Sequence, residues 1–108
     1  MKDIDIKELA NILEKKRNFS LKEIVITNDN KKYLSLSKIE DGFFISICFY
    51  KQVVQILIKT IFNEKKIEVE TSILENDLLL SNDPSLLIEL KIDILLNKMK
   101  EIKSSIWI

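Results

Sequence analysis

The sequence predicts an α+β fold: an N-terminal helix, an antiparallel sheet of four to five strands, and a long C-terminal helix packed on the sheet, in a single domain over residues 1–108. Two observations predict it. Apolar residues recur at three-and-four spacing near both ends of the chain, and between those ends short branched segments alternate and are separated by turn residues. With 46% hydrophobic and 31% charged residues, the chain has enough apolar surface to order one core without crosslinks.

Asp5 followed by Glu8 has the form of a capping box, and Ile6, Leu9, Ala10 and Leu13 then line one helical face. A helix over 5–17 follows, with Lys7, Glu14, Lys15 and Arg17 on its solvated side. Three strands come next in "LKEIVIT", "YLSLS" and "FFISICFY", set apart by "NDNKK" and "KIEDG", which have turn composition. In the third, Phe43, Ile45, Ile47 and Phe49 share one face and Phe44, Ser46, Cys48 and Tyr50 the other, so both faces are apolar enough for a central strand.

The segment "QVVQILIKTIF" reads two ways. Val53, Val54, Leu57, Ile58 and Ile61 suit a helical face, while its branched residues suit a strand, the reading adopted here. After the turn "NEKK", Ile67, Val69, Thr71 and Ile73 alternate with Glu68, Glu70 and Ser72 as in a half-buried strand. Asp83 before Pro84 starts a second helix over 84–103, because aspartate caps free amides and proline suits the first helical position. Ile88, Ile92, Leu95, Met99 and Ile102 form its core stripe, widened by Leu87, Leu90 and Ile94.

Composition excludes much chemistry. The chain has no histidine, which removes the commonest general base and metal ligand, and Gly42 is its only glycine, so no phosphate-cradling loop can be written. No catalytic residue, cofactor or metal site is assigned. The carboxylate pairs Glu40–Asp41 and Glu68–Glu70 read as a solvated turn and a solvated sheet face, and Asn28–Asn30 as a turn lacking the remaining ligands of a calcium loop. The lone Cys48 sits in an apolar run and is expected to be a small buried thiol.

Lys plus Arg and Asp plus Glu both number 17, so the net charge is zero and no global field favours nucleic acid. The basic clusters Lys15–Arg17 and Lys31–Lys32 lack interleaved aromatics, and no nucleic-acid partner is expected. Lys51, Gln52, Gln55 and Lys59 interrupt the most hydrophobic stretch, and the acidic start does not form an export signal. The expectation is a cytoplasmic protein with no membrane partner.

One regional feature stands out. From Glu68 to Glu89 there are six acids (Glu68, Glu70, Glu75, Asp77, Asp83 and Glu89) and no Lys or Arg. Capping and strand solvation account for them in one reading; in the other they form an acidic patch that steers a basic partner. Within it Leu78, Leu79 and Leu80 either pack beneath the helices or form an apolar centre with a polar rim, as protein-binding sites do. Glu68, Glu70, Glu75, Asp77, Leu79 and Asp83 are therefore the candidate partner-binding residues. The ending Ile106, Trp107 and Ile108 is a candidate tail contact, folding back on the sheet or meeting another subunit in a homodimer.

In size, composition and expected architecture the chain resembles the small immunity proteins of bacterial toxin systems, including contact-dependent inhibition. The resemblance implies a protein that binds a cognate toxin domain, often a basic nuclease, and covers its active or substrate-binding surface. The same architecture is similar to the small dimeric chaperones of type III secretion, which would imply an unfolded client segment.

Overall fold

The computed structural model describes residues 6–26, 31–50 and 52–106. Element order is α1 (Ile6–Arg17), β1 (Ser20–Ile26), β2 (Lys31–Glu40), β3 (Phe43–Phe49), β4 (Val53–Phe62), β5 (Lys65–Leu74), α2 (Glu75–Leu80) and α3 (Pro84–Ile106). Asp5, the expected turn at Asn28–Asn30, and Trp107 and Ile108 of the expected tail contact lie outside the described residues; Ile106 closes α3.

The strands form one antiparallel meander in the order β1-β2-β3-β4-β5, with β3 central as its two apolar faces require. Residues 53–62 are strand. Their alternate side chains Val54, Ile56 and Ile58 are buried with Thr60, a period of two that a helix cannot satisfy. Hairpin geometry sets the register. Glu40 pairs with Phe43 and Phe62 with Lys65, leaving the two-residue loops Asp41–Gly42 and Asn63–Glu64. All four loop residues have positive φ, the mirror-image turn whose twist matches that of paired strands.

β2 is longer than its apolar core suggests. Lys31, Lys32 and Lys38–Glu40, expected in turns, belong to the strand because the ladders to β1 and β3 continue through them. The register aligns Leu36, Ile47 and Ile56 across three strands, all fully buried. Against that face α1 lies over β1 and β2, and α3 over β4 and β5. Leu9, Ala10 and Leu13 of α1 and Ile88, Ile92, Leu95, Leu96 and Met99 of α3 complete the core. Each buried Leu, Ile or Met side chain among them contributes about 1.5–3 kcal/mol before conformational entropy is offset, and Ala10 less.

Three expectations are corrected here. Arg17 is not solvated: its Nη1 and Nη2 donate to Asp93 Oδ1 and Oδ2 at 3.1 and 2.9 Å, and its Nε to Glu89 Oε1 at 3.1 Å, tying the end of α1 to α3. Leu90 and Ile94 do not widen the core stripe. With Leu86 they recur every fourth residue on the solvent side of α3, because the sheet lies only under the Ile88–Ile92–Met99 side. The short link after β5 is a helical turn, α2, without a side-chain cap; Glu75 N–H donates to Gln52 C=O at 3.0 Å and Leu78 anchors the turn in the core.

Candidate functional site

Strand alternation gives the sheet a second face, and no described helix covers it. The register sets its side chains in transverse rows. One row runs Lys22, Ser35, Cys48, Gln55 and Ser72; the next Ser20, Ser37, Ser46, Leu57 and Glu70; the third Ile39, Phe44, Lys59 and Glu68. The middle of the face is therefore built from small hydroxyl and thiol groups, and bulk is concentrated at its ends.

At the centre Cys48 is only half-buried, which corrects the expected core thiol. The alternation of β3 directs Ile45, Ile47 and Phe49 inward and Cys48 outward, where its Sγ lies 3.8 Å from both Ser35 Oγ and Ser46 Oγ. At one end Tyr33 and Tyr50 meet edge to face, with ring centroids 5.2 Å apart. Burial pushes the Tyr50 phenol above its ordinary value, and the nearby Cys48 adds to the rise by disfavouring a second negative charge. At the other end Ile39 and Ile61 project into solvent, each 77% exposed, beside Phe44 and Lys59.

The acidic stretch is divided by the fold. Glu68 and Glu70 stand exposed on the outward face of edge strand β5, where Lys66 Nζ lies 3.5 Å from Glu68 and Gln55 Nε2 donates to Glu70 at 3.2 Å. Glu75 and Asp77 occupy the first turn of α2, directly after β5, with the exposed Leu74 between the two pairs. The other two acids are used within the fold. Asp83 caps α3, accepting from Ser85 Oγ at 2.8 Å and Leu86 N–H at 3.2 Å, and these bonds hold its carboxyl below the ordinary value. Glu89 faces Arg17 and Lys16.

The three leucines divide likewise: Leu78 is buried, Leu79 half-buried and Leu80 exposed. Sequence reasoning set Phe44, Ser46, Cys48 and Tyr50 on one face of the third strand but did not single that face out as a site, because Ser35, Ser37 and Ser46 at its centre carry no motif. Their alternation with buried neighbours was the available signal.

Among the described residues no group of three or more acidic or cysteine side chains is placed to hold a metal ion, and no helix is long and apolar enough to cross a membrane. The arrangement can bury apolar side chains, donate and accept hydrogen bonds across a flat surface, and pair with charges of either sign. Compared with protein-family models, curated proteins and solved structures, the chain finds no match.

Proposed function

We propose that the chain is a non-catalytic protein-binding module, an immunity protein that binds and neutralises a cognate bacterial toxin domain by covering its active or substrate-binding surface. The observation that supports this reading is the acid-bordered sheet edge: Glu68 and Glu70 on β5, continued through exposed Leu74 into Glu75 and Asp77. Carboxylates there attract a basic surface such as a nuclease uses for nucleic acid, and the adjoining apolar residues supply the desolvated centre that holds a complex together. Asp83 and Leu79 contribute less than the sequence suggests, Asp83 because its carboxylate is occupied as a cap and Leu79 because it is half-buried.

Co-expression of the tagged chain with the product of the gene immediately upstream tests the reading. A stoichiometric complex with a domain that arrests growth when expressed alone is the expected outcome; recovery of the tagged chain without a partner counts against it.

A second reading, a dimeric secretion chaperone, draws support from the uncovered sheet face with Ile39 and Ile61 exposed at its end, a surface suited to an extended client. A homodimer belongs to this reading, and sedimentation equilibrium of the isolated chain distinguishes it from a monomeric inhibitor.

A further inference from the structure

The two mirror-image turns, Asp41–Gly42 and Asn63–Glu64, lie at the same end of the sheet, and between their hairpins the outer face holds a cleft of about 360 Å³. Phe44 lies between the two walls, Ile39 on β2 and Ile61 on β4, and Gly42, Lys59, Thr60 and Lys66 complete the lining. Both isoleucines are 77% exposed, so the walls of the cleft are apolar and open to solvent.

Its charged lining residues are both lysines, with Glu68 at the border. Lys59 makes no ion pair among the described residues, and its Nζ sits 4.8 Å from the centre of the Phe44 ring, held over the aromatic face. Lys66 is paired with Glu68 across 3.5 Å, but both side chains are at least half exposed, and such a pair exchanges readily for another carboxylate. A small ligand would need walls that enclose most of its surface, and these walls stand open to solvent on one side. An anchor residue of a larger protein meets the geometry better, since its own flanking chain covers the rim.

We infer that this cleft binds an extended acidic and aliphatic peptide segment of a partner protein, one aliphatic side chain resting on Phe44 between Ile39 and Ile61 and a neighbouring carboxylate paired with Lys59 and Lys66. The cleft adjoins the acidic edge at Glu68, which pairs with Lys66 and lies opposite Lys59, but its partner chemistry is opposite in sign, and Ile61→Ser and Lys59→Gln test it without touching the acids of the toxin reading. β5 thus presents Lys66 at the hairpin end and Glu68 and Glu70 farther along, which gives a bound segment a direction.

Fluorescence anisotropy with a labelled heptapeptide alternating leucine and glutamate tests it, with the leucine–lysine heptapeptide as the comparison. The acidic peptide should bind at least about tenfold more tightly, and Ile61→Ser should weaken it about tenfold. Lys59→Gln and Lys66→Gln should each weaken it about threefold to tenfold, and Glu68→Gln, which frees Lys66, should strengthen it. Amide shift changes on titration should centre on Gly42, Phe44 and Ile61. These outward positions bear no core packing, so the variants remain folded. Equal affinity for both peptides, no binding of either, indifference to Lys59→Gln, shifts centred elsewhere, or tighter binding of decanoate than of peptide would each overturn the inference.

Discussion

Arg17, the last residue of α1, grips Asp93 in the middle of α3 through two parallel N–H···O bonds of 3.1 and 2.9 Å, while its Nε reaches Glu89 one turn earlier. The hydrogen bond to Asp93 is the main reason the guanidinium is held above even its ordinary value. A planar guanidinium gives Asp93 two parallel donors and Glu89 a third; an ammonium has no such parallel pair. Arg17→Lys should therefore lose most of what Arg17→Ala loses, about 1–2 kcal/mol, since Asp93 remains half in water and resolvates. Thermal unfolding followed by circular dichroism checks this, at about 4–8 °C per kcal/mol. An Arg17→Lys melting point equal to wild type would show that the fork geometry is immaterial.

Asp83 predicts part of the acid limb of stability. Its folded-state value lies below the ordinary carboxylate value because Ser85 and the Leu86 amide bond the charged form. A depressed value contributes stability above the unfolded-state value, and that contribution disappears as pH falls through the folded one. Urea titrations at stepped pH should show Asp83→Asn, which keeps the cap without the titration, with a flatter decline below about pH 4 than wild type. Asp83→Ala should be less stable than either across the neutral range.

How far the fold was legible depends on whether a signal is local. The alternation of β5 and the Asp83–Pro84 start of α3 are carried by adjacent residues and appear where expected. Residues 53–62 satisfied both periods on paper, because Val53, Val54, Leu57, Ile58 and Ile61 are branched or apolar on every side; pairing with β3 and β5 settles the segment as strand. The helical turn α2 has no side-chain cap and depends on a backbone bond to Gln52, 23 positions away in sequence, which no local pattern records. The same holds for Arg17, whose partners lie 72 and 76 residues distant. Of the acidic stretch, composition showed the charge but not its division into exposed Glu68, Glu70 and Asp77 with half-buried Glu75, and structurally engaged Asp83 and Glu89.

That division makes a graded prediction for a basic partner. Glu68→Lys combined with Glu70→Lys should slow association and reduce its salt dependence, while leaving stability nearly unchanged because both residues are exposed. Glu89→Gln should do the reverse, weakening the link to Arg17 and leaving the association rate alone. Stopped-flow mixing at two salt concentrations separates them, and equal effects on rate would count against the exposed edge as the steering surface.

At Gly42 a side chain would be strained without being crowded. Its φ of +83° disfavours any L-residue, yet a Cβ there would meet nothing within 4 Å. Gly42→Ala should therefore cost about 1 kcal/mol from backbone conformation alone. Gly42→Asn, which tolerates the left-handed region better, should recover part of it. Chemical denaturation of the two variants checks the order, and Ala equal to Asn would remove the conformational explanation.

Cys48 offers the sharpest test of which face a partner occupies. It is the only cysteine in the chain, so any thiol reagent reports on one position. A thiol in the core would react only after unfolding, whereas Cys48 stands half-exposed between Ser35 and Ser46 at the middle of the uncovered face. The native protein should therefore be alkylated by iodoacetamide without denaturant, at a rate that does not track global unfolding. A partner lying across the sheet must cover Cys48 and suppress the reaction. One engaged only along the β5 edge and α2 leaves it reactive, so mass spectrometry of the alkylated complex separates the face from its acidic margin. Protection in the complex, combined with unchanged association after reversal of Glu68 and Glu70, would transfer the docking surface from the edge to the serine-lined centre.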